Sequence, residues 1–514
     1  MQEKIVKTFS IVVLITIISK VLGLLRDIAF AYYFGTGYEA TAYFTAIRIP
    51  TQLLDIGLSA AITATFIPVF NKVMFKSGKD IANSFANNFI NIIAVVTTLI
   101  SVLGIIFAEP IVELLAGGFD GKTFALTVDL IRITFPMIIF TAVAFSFVGF
   151  LQSHNEFKIP AMISAISNIA IIVYLIIFHE MFGIYGLSIF MLIAWSLQVI
   201  IQIPYAFKKG YRFKWKINFK DENIKNVFKL AIPIIISTSV IPINILVSTR
   251  IASGMGDEAV AILEYGYKLF LVAVGVFVYA IGNIIFPEFS RLSIDKEKKN
   301  EFIQLIKRGL RGMVFILIPF TIGFILYRTD LVSLLYEHGE FDSVSTMLTS
   351  NVLFYYAIGM LGFGFVEIMN KVFYAKQDTK TPVIVGVIMI CINIVLCIVL
   401  SNILGLNGLA LATSCTFLLH GLILLICANV QIKNILDMNS VKYVIKILLA
   451  TGLMTMAVML VNNMIGQILL SGVIDQIIRI ISGTAIGVLV YFVILDIFEV
   501  EELKMLKKNK KKIK

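Results

Sequence analysis

The sequence predicts an all-α polytopic membrane protein: fourteen transmembrane helices, arranged as two parallel six-helix lobes plus two C-terminal helices. Three observations carry that reading. The 514 residues are 59% hydrophobic and only 15% charged, and the apolar residues gather in runs of about 20 or more, too long for a soluble core. The loops between the runs alternate between basic and acidic or neutral. The first twelve runs also read as one six-span pattern written twice.

The spans lie near 9–35, 40–72, 81–108, 123–152, 158–180, 183–207, 225–252, 258–290, 300–327, 344–374, 381–401, 407–431, 442–464 and 475–498. Lys72, Lys76 and Lys79 follow the second; Lys208, Lys209, Arg212, Lys214 and Lys216 follow the sixth. Arg291, Lys296, Lys298 and Lys299 follow the eighth, and Lys371, Lys376 and Lys380 surround the connection from the tenth to the eleventh. The odd-numbered connections carry Glu39, Glu109, Glu113, Asp257, Glu258, Glu337, Glu340 and Asp342 instead. By the positive-inside rule the basic side is cytoplasmic, which places both termini inside. The lysine-rich tail from Lys504 to Lys514 agrees. The formal charge of +11 therefore reads as an orientation signal at an anionic membrane face, not as a nucleic-acid footprint. Met1 to Lys7 is basic, but the apolar run after it continues to about Ala31 without a small-residue cleavage site, so it reads as a span and not a signal peptide.

The duplication is visible residue by residue. G-x-G-x-E-A occurs at Gly35–Ala40 and again at Gly254–Ala259, and Pro68-x-Phe70-x-Lys72 matches Pro287-x-Phe289-x-Arg291 in the same register. Phe119-Asp120 then matches Phe341-Asp342, Lys158-x-Pro160 matches Lys380-x-Pro382, and Gly183 with Gly186 matches Gly405 with Gly408. Each repeat holds an even number of spans, so both insert with the same orientation and an axis along the membrane normal is expected between them. The expected domains are an N-terminal lobe at 1–215, a C-terminal lobe at 216–435, a two-helix segment at 436–500 and a basic cytoplasmic tail at 501–514.

Enzyme chemistry finds no foothold. His154, His179, His338 and His420 are scattered, Cys391, Cys397, Cys415 and Cys427 have no metal-ligand spacing, and no P-loop, GxSxG or HExxH is present. No catalytic residue, metal site or cofactor is expected, and energy coupling falls to an ion gradient or the membrane potential.

Chemistry concentrates instead in Ser19–Pro50, where Lys20, Arg26, Asp27 and Arg48 interrupt apolar helical sequence. A charge at bilayer depth costs a few kcal/mol or more unless it meets a partner or a water-filled cavity. In the repeat register Arg48 aligns with Tyr267, one residue before Lys268. Counting from span ends, Arg26, Arg48 and Lys268 each lie roughly 12 to 15 Å from the outer surface, Lys20 lies nearer the cytoplasm, and Arg250 lies close to the outer end of the seventh span. Asp27, Asp55 and Glu264 are the available charge partners, and a purely structural reading pairs them with Arg26, Arg48 and Lys268. The cations Lys20, Arg26, Arg48, Arg250 and Lys268 nonetheless outnumber these acids, and arginine forks suit phosphate. A cationic cavity for a phosphate-type anion follows, with Arg26, Arg48 and Lys268 sharing one site.

SKVLGLLRD, FGTGYEATAYFTAIRIP, TATFIPVFNK, IASGMGDEAVAILEYGYKL, IIFPEFSRL, LYEHGEFD and FYAKQDTKTPV resemble segments of the MurJ (MviN) lipid II flippases, a family of the multidrug, oligosaccharidyl-lipid and polysaccharide exporter superfamily. The resemblance covers nearly the whole chain in order. It implies two six-helix lobes around a V-shaped cationic cavity, with the last two spans forming a groove for a polyprenyl tail. The implied activity is transfer of undecaprenyl-pyrophosphate-linked disaccharide pentapeptide from the inner to the outer leaflet of the bacterial cytoplasmic membrane, for peptidoglycan synthesis. Lys20 stands where the motif usually has arginine, Arg26 matches the arginine of LGxxRD, and Lys268 stands at an arginine position. Thr41 replaces a usual aspartate, Leu54 or Asp55 a usual arginine, and Tyr267 another aspartate, which leaves Arg48 and Arg250 as candidate substitutes. The expected partners are the lipid-linked glycan and membrane lipids, with cell-wall synthesis proteins as candidates, no nucleic acid, and a monomeric state. A flippase for another polyprenyl-linked glycan, of O-antigen or capsule type, shares all of this physics, whereas a multidrug antiporter would prefer cavity carboxylates.

Overall fold

The structure is a computed structural model that describes residues 2–466, 472–500 and 503. Every regular element among them is a helix. Eleven helices are long and apolar enough to cross a membrane, and the pair Ser343–Ala357 and Met360–Ala375, bent by 45°, makes a twelfth span. Gln2–Phe34 and the broken pair Glu222–Thr238 and Val240–Ala252 occupy the first and seventh predicted positions. Among the described residues, helices thus stand at all fourteen places where the apolar runs put spans.

The chain forms two compact units, Met1–Ala261 with His338–Asp342, and Ile262–Glu337 with Ser343–Lys514. In the first unit the odd-numbered connections gather at one end. The Lys122 ammonium lies 3.7 Å from the centre of the Tyr38 ring, Thr123 donates to the Asp257 carboxylate at 3.0 Å, and Tyr33 packs on the His179 imidazole at 3.7 Å. The segment from 338 to 342 joins this end, its Glu340 N–H donating to the Tyr32 carbonyl at 2.9 Å. The even-numbered connections meet at the other end, where Asn83 donates to the Gly210 carbonyl and Tyr211 packs edge-on against Phe150. There burial, and then the positive field of Lys79 and Lys209, hold the His154 imidazole below its usual pKa. This segregation is what an up-and-down helical array requires, because each short connection reverses the chain.

The second unit repeats the pattern. At its basic end Lys307 pairs with Asp437, Gln431 donates to Asp378, and Lys446 donates to the Phe498 carbonyl. Hydrogen bonds from Lys307 and Ser440 hold the Asp437 carboxyl down at about 2. At the opposite end Arg479 bridges Asp475 at 2.9 Å and Asp330 at 3.7 Å.

The internal repeat is written into the backbone. Gly183 and Gly405, 222 residues apart, open the sixth and twelfth spans with φ of 53° and 58°, a left-handed conformation in which a Cβ is strained. Asn155 and Gln377, at the same separation, also turn with positive φ, of 59° and 62°. Each is followed by an acid, Glu156 or Asp378, whose N–H returns to Leu151 or Phe373 and whose carboxylate accepts from the N–H of Lys158 or Lys380. Burial raises the Asp378 pKa, but donors from Thr381, Gln431 and Lys380 outweigh it and hold the carboxyl below its ordinary range. Identical turns at matched positions are what a duplicated sequence produces.

Candidate functional site

In the first unit the site is built on a helical hairpin. Phe30, near the end of Gln2–Phe34, packs against Tyr43 at 4.9 Å and Phe44 at 4.8 Å on Tyr38–Ile47. Arg26 lies one helical turn before Phe30, and Arg48 one turn after Phe44. Each cation thus lies four residues, about one helical turn along its own helix, from the same aromatic contact.

Arg26 is held in place. Its Nη2 and Nε donate to Asp27 Oδ1 at 2.9 and 3.3 Å, and its Nη1 donates to Asn168 Oδ1 at 3.1 Å, on Lys158–Ile177. Asn168 in turn donates to the Ser19 carbonyl at 3.2 Å. The Arg26–Asp27 pairing of the structural reading is present, but the arginine side chain keeps 27% exposure, so it remains reachable. Asn168 was absent from the predicted set. The signal for it is a lone carboxamide in the apolar run ISNIAII, a residue that must find a partner at membrane depth.

Arg48 is buried, at 3% exposure, and opens a π-helical segment, Arg48–Asp55, that contains Pro50. Proline cannot donate the intrahelical bond, and the wider i to i+5 turn accommodates that loss. π-Segments of this kind concentrate at functional sites. The side chains of Leu54 and Asp55 lie outside the described residues. Thr41, another of these departures, is fully buried and its hydroxyl accepts from the Ala261 N–H at 3.3 Å. That bond satisfies one of the unpaired amides in the first turn of Ala259–Ile294. Thr41 therefore serves the fold.

The other predicted residues are more dispersed. Lys20 is exposed, and six residues from Arg26 on one helix put the two side chains about 120° apart around the axis. Arg250 is exposed in the last turn of Val240–Ala252, where a cation complements the carbonyl end of the helix. In the second unit Glu264 is 6% exposed, one turn before the half-buried Lys268 on Ala259–Ile294, and Tyr267 is buried among Phe270 and Tyr356. Within the first unit the described cations Lys20, Arg26, Arg48 and Arg250 outnumber the candidate acids Asp27 and Asp55. No group of three or more His, Cys, Asp or Glu side chains among the described residues has metal-binding geometry.

Comparison with known proteins places this arrangement. The family model "Lipid II flippase MurJ" matches residues 30–501. The chain is 27% identical to lipid II flippase MurJ of Burkholderia cenocepacia over 80% of its own length and 81% of the relative's. It is 29% identical to a probable lipid II flippase MurJ of Vibrio cholerae over 96% of both chains. Its fold superposes on a solved lipid II flippase MurJ in an inward closed conformation with a TM-score of 0.81 and 27% identity, covering 96% of this chain and 99% of that one. A cation-bearing helical hairpin in a fourteen-span array, matched along nearly its full length, makes this chain a member of the lipid II flippase MurJ family, a multi-pass membrane transporter and not an enzyme.

Proposed function

We propose that this flippase carries the pyrophosphate of its lipid-linked cargo on Arg26, Arg48 and Lys268, with Lys20 and Arg250 extending the positive field along the path. The observation that carries the reading is Arg26 and Arg48 lying one turn beyond the same Phe30 contact, one fixed by Asp27 and Asn168, the other buried at the head of a π-segment. Lys268 joins them through the repeat register.

A flippase must move a charged, sugar-bearing headgroup past about 30 Å of hydrocarbon while its tail stays in lipid. Cation–pyrophosphate contacts offset the headgroup's lost hydration, and rocking of the lobes at 1–215 and 216–435 exposes the cavity to each leaflet in turn. The helices of 436–500 supply the groove for the polyprenyl tail. The basic ends of both units face the cytoplasm, so both termini are inside, the protein sits in the inner membrane, and it works as a monomer. Net positive charge in the cavity couples to the membrane potential, worth about 2.3 kcal/mol per elementary charge for each 100 mV.

Rescue of a bacterial strain depleted of its lipid II flippase tests the activity. Growth and normal cell shape on expression of this chain are expected. Lysis despite normal amounts in the membrane, with rescue of a strain lacking an O-antigen or capsule flippase, would reassign the cargo.

A further inference from the structure

The basic connection after the sixth span has a structure of its own. Residues 211–218 carry no regular secondary structure, yet their backbone is hydrogen-bonded along one side by a row of asparagines on Lys79–Ile106. Asn87 donates to the Arg212 carbonyl and accepts from the Lys214 N–H, both at 2.8 Å. Asn91 donates to the carbonyls of Lys214 at 2.8 Å and Lys216 at 3.1 Å, and Asn88 exchanges both bonds with Asn218 at 3.0 and 2.7 Å. A carboxamide carries the donor and acceptor of a peptide group, so this row stands in for a missing neighbouring strand. Asn87, Asn88 and Asn91 are all at least 98% buried, and the backbone they satisfy can sit beside hydrocarbon.

The order of the contacts gives the path. The chain leaves Gly210 at Asn83, passes Asn87, reaches Asn91 with 214 and 216, and returns to Asn88 with 218, so Trp215 is at the tip. Counting back from Ile106, a 30 Å hydrocarbon layer at 1.5 Å per residue ends near Ala86. Asn91 then lies roughly 7 Å inside that edge, within the depth of interfacial insertion.

The exposed side chains match such a place. Phe213, Trp215 and Phe219 are 61%, 69% and 52% exposed, and they alternate with Arg212, Lys214, Lys216 and Lys220. Lys216 reaches back toward the start of the helix, its ammonium donating to Ser84 Oγ at 2.9 Å, as a lysine does when its backbone is in the interface and its charge seeks water. From Phe207 to Lys220 the sequence has six cations and no acid.

We propose that residues 211–219 form a clasp for anionic phospholipid, in which Phe213, Trp215 and Phe219 enter the acyl boundary and Arg212, Lys214 and Lys216 bind the headgroup phosphates. The aromatics give depth, and the interleaved cations give the preference for negative lipid. This site is distinct from the cargo site and stands whichever lipid-linked glycan the protein carries.

The chain has two tryptophans, Trp195 and Trp215, so a Trp195→Phe variant reports on the clasp alone. The full-length protein is placed in bilayers of phosphatidylcholine and phosphatidylglycerol at equal mole fractions, with bromine on the acyl chains of one lipid or the other. Brominated phosphatidylglycerol is expected to quench Trp215 severalfold more than brominated phosphatidylcholine, and the difference should vanish in high salt or in R212Q/K214Q/K216Q. Trp215→Phe, read through Trp195, supplies the background and a check should Trp195→Phe fail to fold. Equal quenching by the two lipids would reduce the clasp to ordinary bilayer contact and overturn the proposal. Quenching by aqueous iodide but by neither lipid would also overturn it, and would assign the surface to water or to a protein.

Discussion

Arg26→Ala is expected to abolish rescue of a flippase-depleted strain while the protein still accumulates, folded, in the membrane. The lost contacts include two bonds to the neighbouring Asp27 and one to Asn168, which are polar and not core packing contacts. Hydrogen bonds to charged groups are worth about 1.5–3 kcal/mol each, so losing one phosphate contact lowers cargo affinity roughly tenfold to hundredfold. A rival account makes Arg26 merely the neutraliser of Asp27, whose carboxylate would otherwise be left uncompensated in the membrane. The double variant Arg26→Ala with Asp27→Asn separates the two. If neutralisation is the whole role, removing both charges restores rescue; if Arg26 binds the cargo, the double variant stays inactive.

Gly362→Leu is expected to remove the folded protein altogether. In the second unit Met360–Ala375 and Leu406–Ile432 approach so closely that a Cβ on Gly362 would sit 2.4 Å from the Leu418 amide nitrogen and 2.5 Å from the Phe417 carbonyl carbon. Both obstacles are backbone, so neither can swing aside. Gly359 against Ser414 and Gly421 against the Gly362 carbonyl continue the same seam, the small-residue packing that lets helices touch in lipid. Overpacking by a methylene or two costs about 1–3 kcal/mol, and a whole leucine side chain against a fixed backbone exceeds that. Thermal stability in detergent, followed by size-exclusion chromatography, is the check. Gly312→Leu, where a Cβ would meet nothing within 4 Å, should melt like the wild type. An unchanged melting temperature for Gly362→Leu would contradict the close approach.

The span positions were legible because hydrocarbon imposes apolar runs of a fixed length, and the repeat because it kept glycines, prolines and acids that specific turns require. Gly183 and Gly405 show this most plainly, since the sequence match and the shared positive φ have one cause. Helix breaks were less legible. Pro68, Pro233, Pro287 and Pro319 all lie within continuous helices, whereas Pro50 falls in a π-segment and Pro242 stands three residues after a break at Ser239. A proline weakens one backbone bond, and the neighbouring helices decide whether the chain bends there.

The cations of the candidate site were legible as charges for the same reason as the spans: they stand out in apolar helices. Their polar support was not. Asn168, and the row Asn83, Asn87, Asn88 and Asn91, are visible as carboxamides in apolar sequence, but nothing local says that one meets an arginine and the others a distant loop backbone. Thr41 was read as a lost acid in the anion site, and it is a hydrogen-bond acceptor for a helix start.

The central claim is that Arg26 and Arg48 hold one anion together. A double-mutant cycle on equilibrium binding of a polyprenyl-pyrophosphate-linked disaccharide to the purified protein tests it most directly, using Arg26→Ala, Arg48→Ala and the pair. Residues that share a partner couple by roughly 0.5 to 3 kcal/mol. Non-additive losses within that range are expected for the pyrophosphate ligand, and no coupling for the corresponding neutral polyprenyl alcohol. Strictly additive losses, with all three variants folded, would contradict a shared anion site and leave the two arginines as separately satisfied parts of the fold.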